Sequence, residues 1–77
     1  MKVELSKLHF SRGARLMKRT NTWRVYVNRR GVARDGWDIF NEIKNIFFLA
    51  GMTGSEWERF PIKVFGDRVE IPAEFVA

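Results

Sequence analysis

The sequence predicts an α+β fold in which one central helix packs on a small, mostly antiparallel sheet. Three patterns indicate this fold: apolar and polar residues alternate over Thr22–Asn28, apolar residues recur at helical spacing over about 36–50, and a second alternation surrounds Gly66-Asp67. The element order is therefore N-terminal strands, a helix and a C-terminal β-hairpin. With 77 residues the chain is long enough for one compact domain, 1–77, and its core is expected to be thin.

The N-terminal third predicts two or three strands. Apolar residues from Val3 to Phe10 alternate with one slip of phase, which favours a strand with a bulge or two short strands. Ser11-Arg12-Gly13 is typical of a turn, and residues 14–19 give a weak pattern for a further strand. The clearest strand is Thr22–Asn28, whose β-branched and aromatic residues suit a sheet. Its apolar face holds Trp23, Val25 and Val27, and its polar face holds Arg24, Tyr26 and Asn28.

The central helix has a predicted start and a predicted end. Asp35 is a favoured N-cap residue, and Asp38 follows at the position of the acid in a capping box. Gly51 can adopt the left-handed conformation that ends a helix. The apolar residues cover one sector of roughly 120° on the helix surface. They are Ile39, Phe40, Ile43, Ile46, Phe47 and Ala50.

The last third predicts a helical turn followed by a hairpin. Two overlapping pairs, Thr53 with Glu56 and Ser55 with Glu58, have the spacing of a capping box. Alternation resumes at Phe60, and the two-residue signal Gly66-Asp67 predicts the hairpin turn. Because proline has no amide donor, Pro61 is expected at a sheet edge or at the start of its strand.

The charges are very unevenly distributed along the chain. Residues 1–34 contain ten lysines and arginines against one acid, Glu4, which gives a formal charge of +9. Residues 35–77 contain four basic and eight acidic residues, which gives −4. A basic stripe of this kind is typical of a protein that binds nucleic acid. The alternative is that the basic half faces the acidic half, within one chain or across a dimer.

The residue content disfavours several classes of site. The chain has no cysteine, so it can form neither disulfides nor thiolate metal sites. No glycine pattern matches a phosphate-binding loop, and no ligand set matches zinc, so no cofactor or metal is expected. The longest apolar run, 46–50, is far shorter than the roughly 20 residues that span a bilayer, and the N-terminal residues lack a signal-peptide pattern. We therefore expect a cytoplasmic protein with no membrane partner.

The predicted nucleic-acid interface is the polar face of strand Thr22–Asn28 with the basic residues around it. Tyr26 lies among arginines, and an aromatic ring on a sheet face can stack on a base of a single strand. The surrounding cations can contact phosphates. The predicted interface residues, for nucleic acid or another anionic partner, are Arg12, Arg15, Lys18, Arg19, Arg24, Tyr26, Arg29, Arg30 and Arg34.

A second candidate surface lies on the central helix, outside its apolar sector. Trp37, Lys44 and Phe48 share one helix face, and Trp57 follows nearby in the sequence. Because Trp and Phe are enriched at interfaces, these four residues form a candidate interface with another protein or with a second copy of the chain. The alternative is that the N-terminal segment or residues 52–60 fold over this face.

Three functions are compatible with these patterns. The favoured one is a small non-catalytic basic module that binds nucleic acid or a nucleoprotein complex through its N-terminal half. The second is a small protein, of the kind that phages and mobile elements encode, that inhibits or regulates a host protein complex by binding and occlusion. The third is a small ribonuclease toxin, in which His9 and Tyr26 would act with arginines around a phosphate. A lone histidine is more often structural than catalytic, so no catalytic residue is predicted.

Overall fold

The computed structural model describes residues 1–31 and 34–77. The strands are β1 (Ser11–Met17), β2 (Thr22–Val27), β3 (Lys63–Val64) and β4 (Arg68–Pro72), and the helices are α1 (Gly36–Leu49) and α2 (Gly54–Glu58). The four strands form one antiparallel sheet in the order β1-β2-β4-β3. The predicted α+β fold is therefore confirmed, with two strands before the central helix and a hairpin after it.

One face of the sheet packs against α1 and forms the core. Val25 on β2 pairs with Val69 on β4, so these residues point to the same side of the sheet. Apolar residues of α1 at three- and four-residue steps cover them. The buried core residues are Val3, Leu8, Val25, Val27, Ile39, Ile43, Phe47, Met52, Val69 and Ile71. The opposite face of the sheet is covered by no helix of the described residues and is called the outer face below.

Both ends of α1 follow the predicted capping chemistry. The Asp35 carboxylate accepts the amide of Trp37 at 3.0 Å, and the Asp38 carboxylate accepts the amide of Asp35 in return. Gly51, with φ of +100°, ends the helix in the left-handed region. Ala50 is exposed at the C-cap and is not part of the buried stripe. Among the described residues no helix has the length and apolar content needed to cross a membrane.

The N-terminus of α1 is fixed on the β3–β4 turn. The amide of Phe65 donates to the carbonyl of Arg68 at 2.8 Å, which closes the predicted two-residue turn at Gly66-Asp67. The amide of Gly36 donates to the carbonyl of Phe65 at 3.1 Å. A Cβ at Gly36 would overlap the carbonyl oxygens of Phe65 and Arg68. A residue without a side chain is therefore required where the helix meets the hairpin.

The predicted strand or strands over Val3–Phe10 are wrong. Only Val3 pairs in this segment, in an isolated parallel bridge to Val76, and Leu5–Lys7 form a 3₁₀ turn. The slip of phase in the apolar pattern coincides with this turn, which allows both Val3 and Leu8 to be buried. The amides that follow it are satisfied by a side chain of α1, as described below, so a strand partner is not needed.

The predicted turn at Ser11-Arg12-Gly13 is also wrong, because these residues lie inside β1. Ser11 pairs with Val27 and Gly13 with Tyr26, so Arg12 is an extra residue in a β-bulge. Gly13 has a φ of +148°, and its amide is held by the Ser11 hydroxyl at 3.0 Å. Turn-forming residues are used here to bend a strand.

Candidate nucleic-acid interface

The outer face of the sheet collects basic side chains from all four strands. The strand register places Arg15, Arg24, Glu70 and Lys63 side by side in one row. In the neighbouring row, Tyr26 pairs with Arg68. Directly paired residues point to the same side of a sheet, so these side chains share the face opposite α1. The two rows therefore hold four cations and one carboxylate, that of Glu70.

Glu70 holds two of these arginines in place. Its Oε2 accepts Arg24 Nε at 3.1 Å and Arg68 Nε at 3.0 Å, and Arg68 Nη1 also meets Asp67 Oδ1 at 2.9 Å. The hydrogen bond to Glu70 is the main cause that raises the pKa of Arg68 above its ordinary value. The two guanidiniums are thus balanced by the carboxylates of Glu70 and Asp67, and these ion pairs give the cluster a fixed geometry.

Two arginine–aromatic contacts adjoin one another on the outer face. The guanidinium of Arg12 lies 4.9 Å from the centre of the Tyr26 ring. The guanidinium of Arg68 lies 4.1 Å from the centre of the Phe65 ring. Because Tyr26 and Arg68 are direct partners across β2 and β4, the two contacts are neighbours. The outer face thus contains a stacked row, defined as Arg12, Tyr26, Arg68 and Phe65.

A cleft of about 780 Å³ opens at one end of the sheet, where β1 begins, β2 ends and the β3–β4 turn lies. Its walls are Ser11, Arg12, Val27, Asn28, Arg29, Arg30 and Asp67, and it is called the arginine cleft below. Arg29 Nη2 donates to the carbonyl of Gly66 at 3.2 Å, which directs this guanidinium toward the turn. Arg12 belongs both to the cleft and to the stacked row, so the two features are continuous.

Two of the other predicted basic residues, Lys18 and Arg19, lie apart from this end of the sheet. Lys18 and Arg19 are exposed in the β1–β2 turn, at the far end of β2 from the cleft. The length of β2, at the usual rise per strand residue, separates them from the cleft by about 20 Å. Arg34 is exposed immediately before α1, and its amide donates to the Asp38 carboxylate. The structure thus brings together Arg12, Arg15, Arg24, Tyr26, Arg29 and Arg30, and it separates Lys18 and Arg19 from them.

The acidic half does not neutralise the basic half through ion pairs. Among the described residues, Arg24 is the only lysine or arginine of segment 1–34 that pairs with a carboxylate of segment 35–77. Lys7 pairs with Glu4 inside the basic segment. The other basic residues of that segment have no carboxylate partner. The excess positive charge is therefore available to a partner.

His9 and Tyr26, which the ribonuclease alternative would bring together, lie on different sides of the sheet. The His9 ring meets the Glu42 carboxylate of α1 through Nδ1 at 2.9 Å, whereas Tyr26 lies on the outer face. The same carboxylate accepts the amides of His9 and Phe10 at 2.7 and 3.1 Å. Glu42 is thus a structural acceptor that fixes the N-terminal segment to the helix.

The second candidate surface is only partly open. Trp57 packs on Phe40 and Phe60, with ring centres 5.1 Å apart in both pairs, so residues of the α2 segment do fold over part of α1. Lys44 lies over the Trp57 ring at 5.7 Å. Trp37 and Phe48 remain 57% and 48% exposed. They are on the helix side of the molecule, away from the outer face.

Three contributors to the outer face, Lys63, Phe65 and Arg68, are absent from the predicted interface. They belong to the acidic half, in which the charge count gave no reason to look for cations. The alternation of Arg68 and Glu70 with the buried Val69 and Ile71 places both polar residues on the face opposite the core. This alternation can be recognised in the sequence, but the pairing of β4 with β2 cannot.

A comparison of the chain with protein-family models, with curated proteins and with solved structures finds no significant match.

Proposed function

We propose that the protein binds single-stranded nucleic acid across the outer face of its sheet, as a non-catalytic module. The observation that supports this most strongly is the stacked row next to an excess of cations on a face that no described element covers. Bases of single strands stack on aromatic rings and on guanidinium planes. Phosphates meet the surrounding arginines and lysines.

The arrangement of the arginines favours a flexible single strand over a rigid duplex. Tyr26 and Phe65 each have an arginine over the ring, so a base meets either a guanidinium plane or a ring from which the arginine has moved. Both surfaces require an unpaired base with an exposed face, which a duplex does not offer along its length. Arg15, Arg24 and Lys63 then lie beside the stacked row, where the backbone of the strand passes.

A salt-titrated binding assay tests this proposal. Labelled single-stranded DNA and RNA and the matched duplexes are titrated at several salt concentrations. We expect tighter binding of the single strands and a linear fall of log K with log salt, with about −0.7 in slope for each phosphate contacted. Weak binding that shows no preference among the four ligands and disappears at physiological salt would contradict the proposal.

A second candidate function is binding to a protein through the exposed aromatics of α1. The exposure of Trp37 and Phe48 supports it, because large aromatic residues often anchor protein interfaces. In this function the protein covers and occludes a surface of a partner complex. The same aromatic residues could instead bind a second copy of the chain and form a homodimer. The double variant Trp37→Ser, Phe48→Ser distinguishes the candidates. Nucleic-acid affinity is unchanged if the outer face binds, whereas sedimentation or partner capture changes if α1 binds.

A further inference from the structure

We infer that the arginine cleft is a subsite for one nucleotide, whose phosphate is held by the guanidiniums of Arg12, Arg29 and Arg30. This inference rests on the proposed function and names a chemical group for one part of the surface. All three arginines line one cavity, and within residues 1–31 and 34–77 none of them pairs with a carboxylate. Like charges placed together destabilise a fold unless an anion offsets them, and arginine binds phosphate through paired, charge-assisted hydrogen bonds.

The single carboxylate that lines the cleft is already engaged. Asp67 Oδ1 is bonded to Arg68 Nη1 at 2.9 Å, outside the group of three arginines. Asp67 is thus directed toward Arg68, and the three arginines leave the cleft with a net positive charge even when Asp67 is counted. A phosphate that enters the cleft meets three cations and no carboxylate without a partner of its own.

Two of the three arginines of the cleft, Arg12 and Arg29, are positioned before any ligand binds. Arg29 is held by the carbonyl of Gly66, and Arg12 is held over the Tyr26 ring. The Asn28 side chain accepts the amide of Arg30 at 3.2 Å, which shapes the turn after β2 and leaves the NH₂ group of Asn28 as a donor. Because these side chains are already positioned, less conformational entropy is lost when an anion binds.

The size of the cleft favours a whole nucleotide over a bare anion. A volume of about 780 Å³ lies within the usual range for sites of small organic ligands. Arg12 forms one wall, and the ring that it covers belongs to the stacked row. A nucleotide whose phosphate is in the cleft can therefore direct its base toward the Arg12–Tyr26 contact, which gives the bound strand a fixed starting point.

The test is a titration of the ¹⁵N-labelled protein with adenosine 5′-monophosphate, adenosine and inorganic phosphate, followed by NMR. We expect amide shifts centred on residues 11–13 and 28–30 with the monophosphate, weaker shifts at the same residues with phosphate, and none there with adenosine. Arg29→Gln and Arg30→Gln each weaken binding of the monophosphate about tenfold, the value of one charged hydrogen bond. Arg59→Gln, which removes an exposed arginine on the α2 side, leaves it unchanged.

Two results would overturn the inference: no shifts at millimolar monophosphate, or shifts centred on the Lys18–Arg19 turn instead. Oligonucleotide binding without monophosphate shifts at the cleft would refute this subsite but not the proposed function. Monophosphate binding at the cleft without oligonucleotide binding would refute the proposed function but not this subsite. Oligonucleotides with and without a 5′-phosphate then identify which phosphate of the strand occupies the cleft. A preference for the phosphorylated strand assigns the cleft to a terminal phosphate, and equal affinity assigns it to an internal one.

Discussion

Glu70 is the residue on which the electrostatics of the outer face depend. It bonds two arginines that belong to different strands, and its side chain is 17% exposed. It therefore fixes Arg24 and Arg68 in position, and its charge, together with that of Asp67, balances the two guanidiniums. If phosphates lie on this face, Glu70 both orders the binding surface and weakens its attraction for the ligand.

The substitution Glu70→Gln separates these two effects. The amide oxygen can still accept a hydrogen bond, but the negative charge is lost. Removing one unit charge about 6 Å from a phosphate in a watery environment changes the binding energy by about 0.7 kcal/mol, or about threefold in affinity. We expect tighter binding of a single-stranded oligonucleotide at low salt, measured by fluorescence anisotropy. Glu58→Gln, at an exposed site on α2, should not change affinity, and weaker binding by the Glu70 variant would contradict the placement of the ligand.

Gly36 shows how strongly one residue can constrain the fold. A methyl group there would overlap two backbone carbonyl oxygens of the hairpin, which cannot rotate away as a side chain can. We expect Gly36→Ala to lower the free energy of unfolding by about 1–3 kcal/mol, as overpacking does. Gly54→Ala is the matched control, because its new Cβ has no atom within 4 Å at the start of a helix. Chemical denaturation of both variants measures the difference, and equal stabilities would contradict the close contact.

At the scale of elements, the end of the N-terminal segment, His9 and Phe10, depends on α1 for its amide hydrogen bonds. Glu42 accepts two backbone amides and the His9 ring, and its side chain is only 12% exposed. We expect Glu42→Gln to destabilise the protein by about 1–3 kcal/mol, because the charged acceptor of two backbone amides is replaced by a neutral one. His9→Ala should have little effect, since that side chain is 88% exposed. Hydrogen exchange of the His9 and Phe10 amides provides the measurement, and unchanged protection in the Glu42 variant would contradict this role.

The elements differ in how far the sequence predicts them. Helix α1 follows from local chemistry, because its cap at Asp35, its apolar spacing and its ending at Gly51 all lie within the helix or next to it. The N-terminal segment does not, because its alternation resembles a strand while Glu42, more than thirty residues away, accepts the amides of His9 and Phe10 at its end. Likewise, Arg24 and Tyr26 could be placed on a polar strand face, but their partners Glu70 and Arg68 follow only from the β2–β4 register.

At the scale of the whole molecule, the charge asymmetry becomes a difference between two sides of a sheet. The outer face and the arginine cleft hold cations from both halves of the chain, including Lys63 and Arg68. The helix side holds the caps and acceptors Asp35, Asp38 and Glu42, together with the exposed Trp37. Nucleic acid and a protein partner would therefore meet opposite sides of the molecule.

The most direct measurement is an NMR titration of the ¹⁵N-labelled protein with a short single-stranded oligonucleotide at physiological salt. We predict that the largest amide shifts occur at Arg15, Arg24, Tyr26 and Arg68, and that the indole NH signals of Trp37 and Trp57 stay unchanged. Shifts confined to α1 and α2, or no shifts at all under these conditions, would contradict the assignment of nucleic-acid binding to the outer face.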